Sequence, residues 1–278
     1  MTPAVVGLVL CAAIMHASWN AILRSSGDRL LTVTIMSLAT AAVAAPFALL
    51  LPLPGSASWP YLGLSSVLQV GYSVFLVMAY RQADLGQAYP IVRGSVPLLV
   101  TLGAAFIAHE RLGLQPLAGI VLVSLGILSL SFGKRGANVA SVAAALATGI
   151  IIAIYTVTDG IGARLAGSPY AYSAWLFLLY GILMPLTFIA MGRRIAIEIR
   201  SPESLKALAA GVVQLLTYGT VIWAFTLSPI GPVSALRETS IVFAAVIGRL
   251  FLGETFTARR LAACAAISLG AICLGYRL

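Results

Sequence analysis

Arg93, Asp159, Arg237 and Glu238 lie inside stretches of sequence that are otherwise apolar. A charge in the hydrocarbon core of a bilayer is costly, so it is kept against protein, a partner charge or a water-filled cavity. A planar guanidinium from each half of the chain suits a carboxylate, phosphate or phosphonate. Arg237 could equally pair with Asp159 or Glu238 and serve the fold alone. Asp159 and Glu238 could take a substrate amine, carry a proton, or neutralise an arginine. Asp159 would merely be solvated if it lay near a membrane face.

Other polar side chains fall on the same helical faces. His16 and Asn20 are four residues apart, and Trp19 can flank them. Trp19 also fits an interfacial belt, and His16 a simple interhelical hydrogen bond. Gln69 and Tyr72 form one short stripe; Gln214, Thr217 and Tyr218 form its counterpart. Either stripe could be hydrogen-bonding glue between helices or the lining of a cavity. Tyr155 and Asp159 share a face, and Tyr89 stands beside Pro90. Pro90, Pro97 and Gly94 are expected to interrupt the helix that carries Arg93, leaving backbone groups open to a substrate.

Catalysis finds little footing. An aspartyl protease needs two carboxylates that share chemistry, and Asp159 is the lone aspartate within an apolar span. No motif serine accompanies His16, and nothing resembles a nucleotide-binding loop. Cys11, Cys264 and Cys273 are scattered over apolar spans, as packing residues are; they indicate no disulfide framework and no metal site. No cofactor is expected.

The elements that hold these residues follow from composition. The chain is 60% hydrophobic and 9% charged, with a mean hydropathy of +1.03, which excludes an ordinary soluble domain. Apolar segments of about 20 residues, each long enough to cross a bilayer as a helix, cover roughly 3–23, 30–51, 60–80, 86–108, 115–133, 138–161, 170–191, 206–226, 231–252 and 258–276. Segment one lacks a basic n-region and is read as a retained helix. The net charge of +9 does not point to nucleic acid, because the basic residues sit at segment ends rather than among stacking aromatics.

Those ends set an orientation. Arg24, Arg29, Arg81, Lys134, Arg135, Arg193, Arg194, Arg200, Lys206, Arg259 and Arg260 fall in odd-numbered connections; Arg111, Arg164 and Arg277 fall on the other side. The positive-inside rule then puts the odd connections in the cytoplasm and both termini outside.

The sequence also repeats itself. Gln69 aligns with Gln214, Ala79 with Ala224, Tyr80 with Phe225 and Gly86 with Gly231. Further on, Arg93 falls on Arg237, Glu110 on Glu254, and Ser124-Leu125-Gly126 on Ser268-Leu269-Gly270. The halves are 1–134 and 138–278, joined at Lys134-Arg135-Gly136. Five helices per half is an odd number, so the second copy enters the membrane from the opposite face. The expected fold is an all-α integral membrane protein, ten transmembrane helices in two inverted five-helix repeats around a central cavity. Segments one, three, four, six, eight and nine would line it. Segments five and ten carry Gly119, Gly126, Ala263 and Gly270 at matched places and would pack the halves together. Glu110 and Glu254, near short turns, suit helix termination or interhelical pairing.

The stretches AYPIVRGSVPLLVTLGAAFIAHERLGLQPLAGIVLVSLGIL and SPIGPVSALRETSIVFAAVIGRLFLGETFTARRLAACAAISLGAICL resemble the paired signatures of the EamA-like family of the drug/metabolite transporter superfamily. The likeness covers nearly the whole chain. It implies a secondary carrier of the bacterial inner membrane, working by alternating access without ATP, often moving amino acids or other metabolites outward. The opening HASWNAILRS is similar to a subgroup linked to phosphonate metabolism. The resemblance favours cytoplasmic termini; the charge count favours the reverse, and we follow the charges. The expected partners are a small-molecule substrate, the lipid bilayer and a coupling proton, in a monomer or homodimer. Amino acids or related zwitterions are the leading substrate, organophosphonates or other organic anions the alternative, and a channel or intramembrane enzyme the remote one.

Overall fold

A computed structural model describes residues 1–82, 85–131, 139–195, 197–198, 200–252 and 257–275, with residues 76–82, 85–88, 139–141 and 250–252 described by backbone alone. The joint Lys134-Arg135-Gly136, Glu254 and Arg277 lie outside the described residues, as do the side chains of Ala79, Tyr80 and Arg81. The described chain is helical: α1 Pro3–Ser25, α2 Arg29–Leu50, α3 Trp59–Gln82, α4 Leu85–Ile107, α5 Leu114–Ser129, α6 Val139–Leu165, α7 Pro169–Ala190, α8 Pro202–Leu227, α9 Ile230–Arg237, α10 Ser240–Leu252 and α11 Ala258–Gly275. Among the described residues, eight stretches are long and apolar enough to cross a membrane, and α5 is a shorter apolar helix. The chain is a multi-pass membrane protein.

Local chemistry starts these helices. Thr2, Asp28, Ser168 and Ser201 occupy N-caps, and each side-chain oxygen accepts a backbone N–H in the first turn. Pro follows directly at the starts of α1, α7 and α8, where its missing N–H costs nothing.

Connections sort to two ends. At one end Arg193 donates to both carboxylate oxygens of Asp28, at 3.3 and 2.7 Å, tying the connection after α7 to that after α1. At the other, the Gly55 N–H donates to the Ala166 carbonyl at 3.0 Å, and Arg164 meets Glu110 at 2.6 Å. The 2–3, 4–5 and 6–7 connections therefore share one end, as an up-and-down bundle requires.

Between the ends, α2 packs on α7 and α5 on α11; α1 lies along α8, and α3 along α6. The α5–α11 contact is backbone-close. A Cβ at Gly270 would stand 2.7 Å from the Gly119 carbonyl oxygen, and one at Gly119 would stand 2.9 Å from that of Gly270. The small residues flagged on segments five and ten thus meet each other, as expected where lipid offers no hydrophobic drive to association.

The expected interruption falls elsewhere. α4 runs unbroken through Pro90 and Pro97. Each proline removes one i→i−4 bond, and the packed neighbours α5 and α6 hold the helix through the gaps. Segment nine breaks instead, between α9 and α10. There Glu238, Thr239, Ile241 and Val242 donate to carbonyls three residues back, at 2.8–3.1 Å, so the chain tightens into a 3₁₀-like turn. Glu-Thr-Ser at 238–240 explains the site: three short or charged polar residues in succession, with the Thr239 hydroxyl donating to the Leu236 carbonyl at 2.7 Å.

Candidate functional site

Helices from both halves bring charge to the middle of the bundle. Arg93 on α4, Arg237 at the end of α9, Glu238 in the break and Asp159 on α6 are all buried, between 0% and 4% exposed. None faces lipid. They form two groups, one at Glu238 and one at Asp159.

The first group is cationic. Glu238 Oε2 lies 3.2 Å from Arg93 Nε, and its Oε1 accepts from Arg93 Nη1 at 3.4 Å and from Arg237 Nη2 at 3.2 Å. One carboxylate thus serves two guanidiniums. The second amino group of Arg93 contacts His16 Nε2, which fits a donation from Arg93 when that ring nitrogen carries no proton. Arg93 Nε, Arg237 Nε and Glu238 Oε2 make no hydrogen bond. The ring of Tyr89 lies 5.6 Å from the Arg93 guanidinium and 4.3 Å from that of Arg24.

Neutral donors hold the second group. Asp159 Oδ1 accepts from the Tyr172 hydroxyl at 2.9 Å; Oδ2 accepts from the Tyr218 hydroxyl at 2.6 Å and from Gln69 Nε2 at 3.3 Å. Gln69 also donates to Ser65 Oγ at 3.0 Å. These donors offset part of the cost of burying the carboxylate, which meets no arginine directly among the described residues.

Tyrosines join the two groups. Arg237 lies over the Tyr218 ring, 6.0 Å from its centroid, while the same residue's hydroxyl reaches Asp159. Tyr155 packs edge-on against Tyr218 at 6.2 Å, and Tyr72 against Tyr155 at 6.0 Å. The result is a run of amphipathic rings in which Tyr218 meets both groups, the cationic one over its ring and the carboxylate at its hydroxyl.

Most residues singled out from sequence fall here, with differing roles. His16 touches Arg93. Trp19 is buried with its ring edge-on to His16 at 4.9 Å, inside the bundle rather than in an interfacial belt, and its indole N–H has no acceptor. Asn20 donates to the His16 carbonyl one turn back, within its own helix. Gln69 reaches Asp159; its repeat mate Gln214 is half-buried with Oε1 unpartnered.

α7 adds two residues that sequence type alone does not mark, Tyr172 and Tyr180. Tyr172 is an Asp159 donor, and the Tyr180 hydroxyl shares a 3.0 Å hydrogen bond with Ser73 on α3. Their spacing of eight puts both on one face of segment seven, the one available signal.

The bundle end nearer Glu110 is separately knotted. Both Glu110 oxygens accept from the Ile230 N–H, at 3.1 and 2.9 Å, at the first residue of α9. Arg164 donates to Glu110, to the Phe225 carbonyl at 2.8 Å and to the Ser228 carbonyl at 3.0 Å. The carboxylate caps one helix start while the guanidinium caps the α8 end.

Comparison with known proteins adds a fold and a family. One solved structure, described only as the crystal structure of a protein, superposes with a TM-score of 0.73 at 21% identity, over 97% of this chain and 94% of that one. At that identity the likeness shows the fold alone. No curated protein matches the chain. The model of the EamA-like transporter family matches residues 139–276, the half that contributes Asp159, Tyr172, Tyr218, Arg237 and Glu238 to the polar centre, and the chain belongs to that family.

Proposed function

We propose that this membrane transporter is a secondary carrier of small zwitterions, amino acids foremost, moved outward across a bacterial inner membrane by alternating access. One observation carries the reading: a buried cationic group and a buried carboxylate meet the same tyrosine, Arg237 over the Tyr218 ring and Asp159 at its hydroxyl. An acid at Arg93 and Arg237 and an amine at Asp159 would satisfy both groups with one molecule. His16, Trp19, Asn20, Gln69, Tyr72, Tyr89, Tyr155, Gln214 and Tyr218 would border it. The cross-half pairings, α1 with α8 and α3 with α6, are the exchange an in-plane pseudo-twofold axis would generate, which supports two inverted repeats over 1–134 and 138–278.

A second reading has its own support. Two arginines against one nearby glutamate leave the first group net cationic, which would favour organophosphonates or other organic anions with no amine at all.

Reconstitution into liposomes separates these. Saturable counterflow of labelled L-alanine that Asp159→Asn abolishes is the expected result. Flux of methylphosphonate without alanine favours the second reading, and no protein-dependent flux of either rejects both. A proton gradient that leaves flux unchanged removes proton coupling. Orientation is tested by labelling single cysteines placed in the 2–3 and 7–8 connections with an impermeant thiol reagent. Both termini outside requires the 2–3 connection to label from outside the cell.

A further inference from the structure

We infer that Glu238 holds the place of the substrate's acidic group: its carboxylate is a built-in competitor for Arg93 and Arg237, and an incoming acid displaces it. This rests on reading the two arginines as the acid-binding groups.

The geometry of the clamp is loose. Glu238 meets its partners at 3.2–3.4 Å and leaves Arg93 Nε, Arg237 Nε and its own Oε2 without hydrogen bonds, although all three residues are buried. Charge-assisted hydrogen bonds between guanidinium and carboxylate settle near 2.7–2.9 Å, and the strong form is a parallel fork. This chain makes shorter bonds elsewhere: Arg164–Glu110 at 2.6 Å, and Arg193 Nη2 to Asp28 Oδ2 at 2.7 Å. A carboxylate placed to lock two buried arginines permanently would satisfy those donors. Here Arg237 Nε donates to nothing, and Arg93 Nε faces Glu238 Oε2 at 3.2 Å without hydrogen-bond geometry, so an acid with two or three oxygens can pair better than Glu238 does.

Position adds a reason for the carboxylate to move. Glu238 is not on a continuous helix; it sits at the turn where α9 ends and α10 has yet to begin. Small changes in turn dihedrals swing this side chain and tilt the two half-helices together. Displacement by an acid is thereby linked to the one break in a membrane-crossing segment among the described residues. An amine-binding role for Glu238 fits poorly, because an ammonium would become the third cation on a single carboxylate.

The direct test uses simple anions, which need only the arginines. Affinity for methylphosphonate and for acetate is measured calorimetrically in detergent, at fixed chloride, for wild type, Glu238→Gln and Asp159→Asn. Removing the competitor should tighten both anions by ~10-fold or more. Asp159→Asn removes the same formal charge from the polar centre but frees no guanidinium, so it should change affinity by less than ~3-fold. Arg93→Gln added to Glu238→Gln should abolish the gain. Glu238→Asp, which keeps the charge and withdraws it by one methylene, should fall between. Equal or weaker anion binding by Glu238→Gln overturns the inference, as does an equal gain in Asp159→Asn. Failure of both Glu238 variants to fold also overturns it, since a carboxylate that leaves the arginines in every cycle cannot be what holds the bundle. Alanine flux by the wild type is a separate readout: flux with no anion gain leaves the carrier reading standing and removes the displaced glutamate. Anion gain with no alanine flux leaves the glutamate reading and removes the zwitterion.

Discussion

Glu110 offers the sharpest test of how the bundle closes one end. Glu110→Gln keeps size and one good acceptor but loses the charge. Ile230 N–H retains an oxygen, so its bond falls from charge-assisted to neutral. The carboxylate's interaction with the start of α9 is lost, worth about 0.3–1 kcal/mol. The Arg164 pair is lost too; with Arg164 34% exposed and Glu110 10%, it counts for no more than about 1 kcal/mol. Together these give a loss of about 0.3–2 kcal/mol. Glu110→Ala should cost about 1–3 kcal/mol more, because Ile230 is fully buried and its N–H would then have no acceptor. Arg164→Gln combined with Glu110→Gln should cost less than the sum, since the pair is counted once. The assay is reversible unfolding by sodium dodecyl sulfate in mixed micelles. In a carrier that alternates, the same bonds must break whenever this end opens. Glu110→Gln should therefore also raise the labelling rate of a cysteine placed at Ser228 by an impermeant thiol reagent. Equal stability for the Gln and Ala variants would refute the reasoning, because it would mean that the α9 N–H finds another acceptor.

Three further outcomes follow from the same geometry. Gly270→Ala should destabilise the bundle by about 1–3 kcal/mol in the same unfolding assay, since its Cβ meets the Gly119 carbonyl and Val123 Cγ2 at 2.7 Å; Gly7→Ala, with open space around it, should lose nothing measurable. Asp28→Ala should cost about 1 kcal/mol through loss of the α2 N-cap at Leu31, while Arg193→Ala, which breaks a partly exposed ion pair and a contact over the Phe188 ring, should cost under about 1 kcal/mol and vary with salt. Tyr172→Phe should weaken alanine counterflow by raising KM with kcat little changed, because it removes one of three donors to Asp159 without touching the arginines; an unchanged KM would separate Tyr172 from the substrate.

Part of this arrangement was open to view in the sequence, for a physical reason. Arg93, Asp159, Arg237 and Glu238 stand out because lipid makes charges rare, so each must be enclosed by protein, and that requirement alone predicts burial. Gly119 and Gly270 were legible in the same way: small residues at matched positions mark close helix contact, though not which helix is met. The break lies at 238–240 rather than at Pro90 or Pro97 because proline is the weaker disruptor here. A proline removes a single backbone donor, which tight neighbours tolerate, whereas Glu-Thr-Ser at 238–240 puts a charge and two hydroxyls into one turn, where the Thr239 hydroxyl bonds back to the Leu236 carbonyl. Tyr172 was invisible for the opposite reason. A tyrosine in an apolar helix is unremarkable by type, and its partner Asp159 lies on another helix, thirteen residues back in the chain. By sequence the two arginines and two carboxylates could pair one to one; the fold gives Asp159 to neutral donors instead, and the loose clamp at Glu238, shared by two arginines, is the structural form of the imbalance that results.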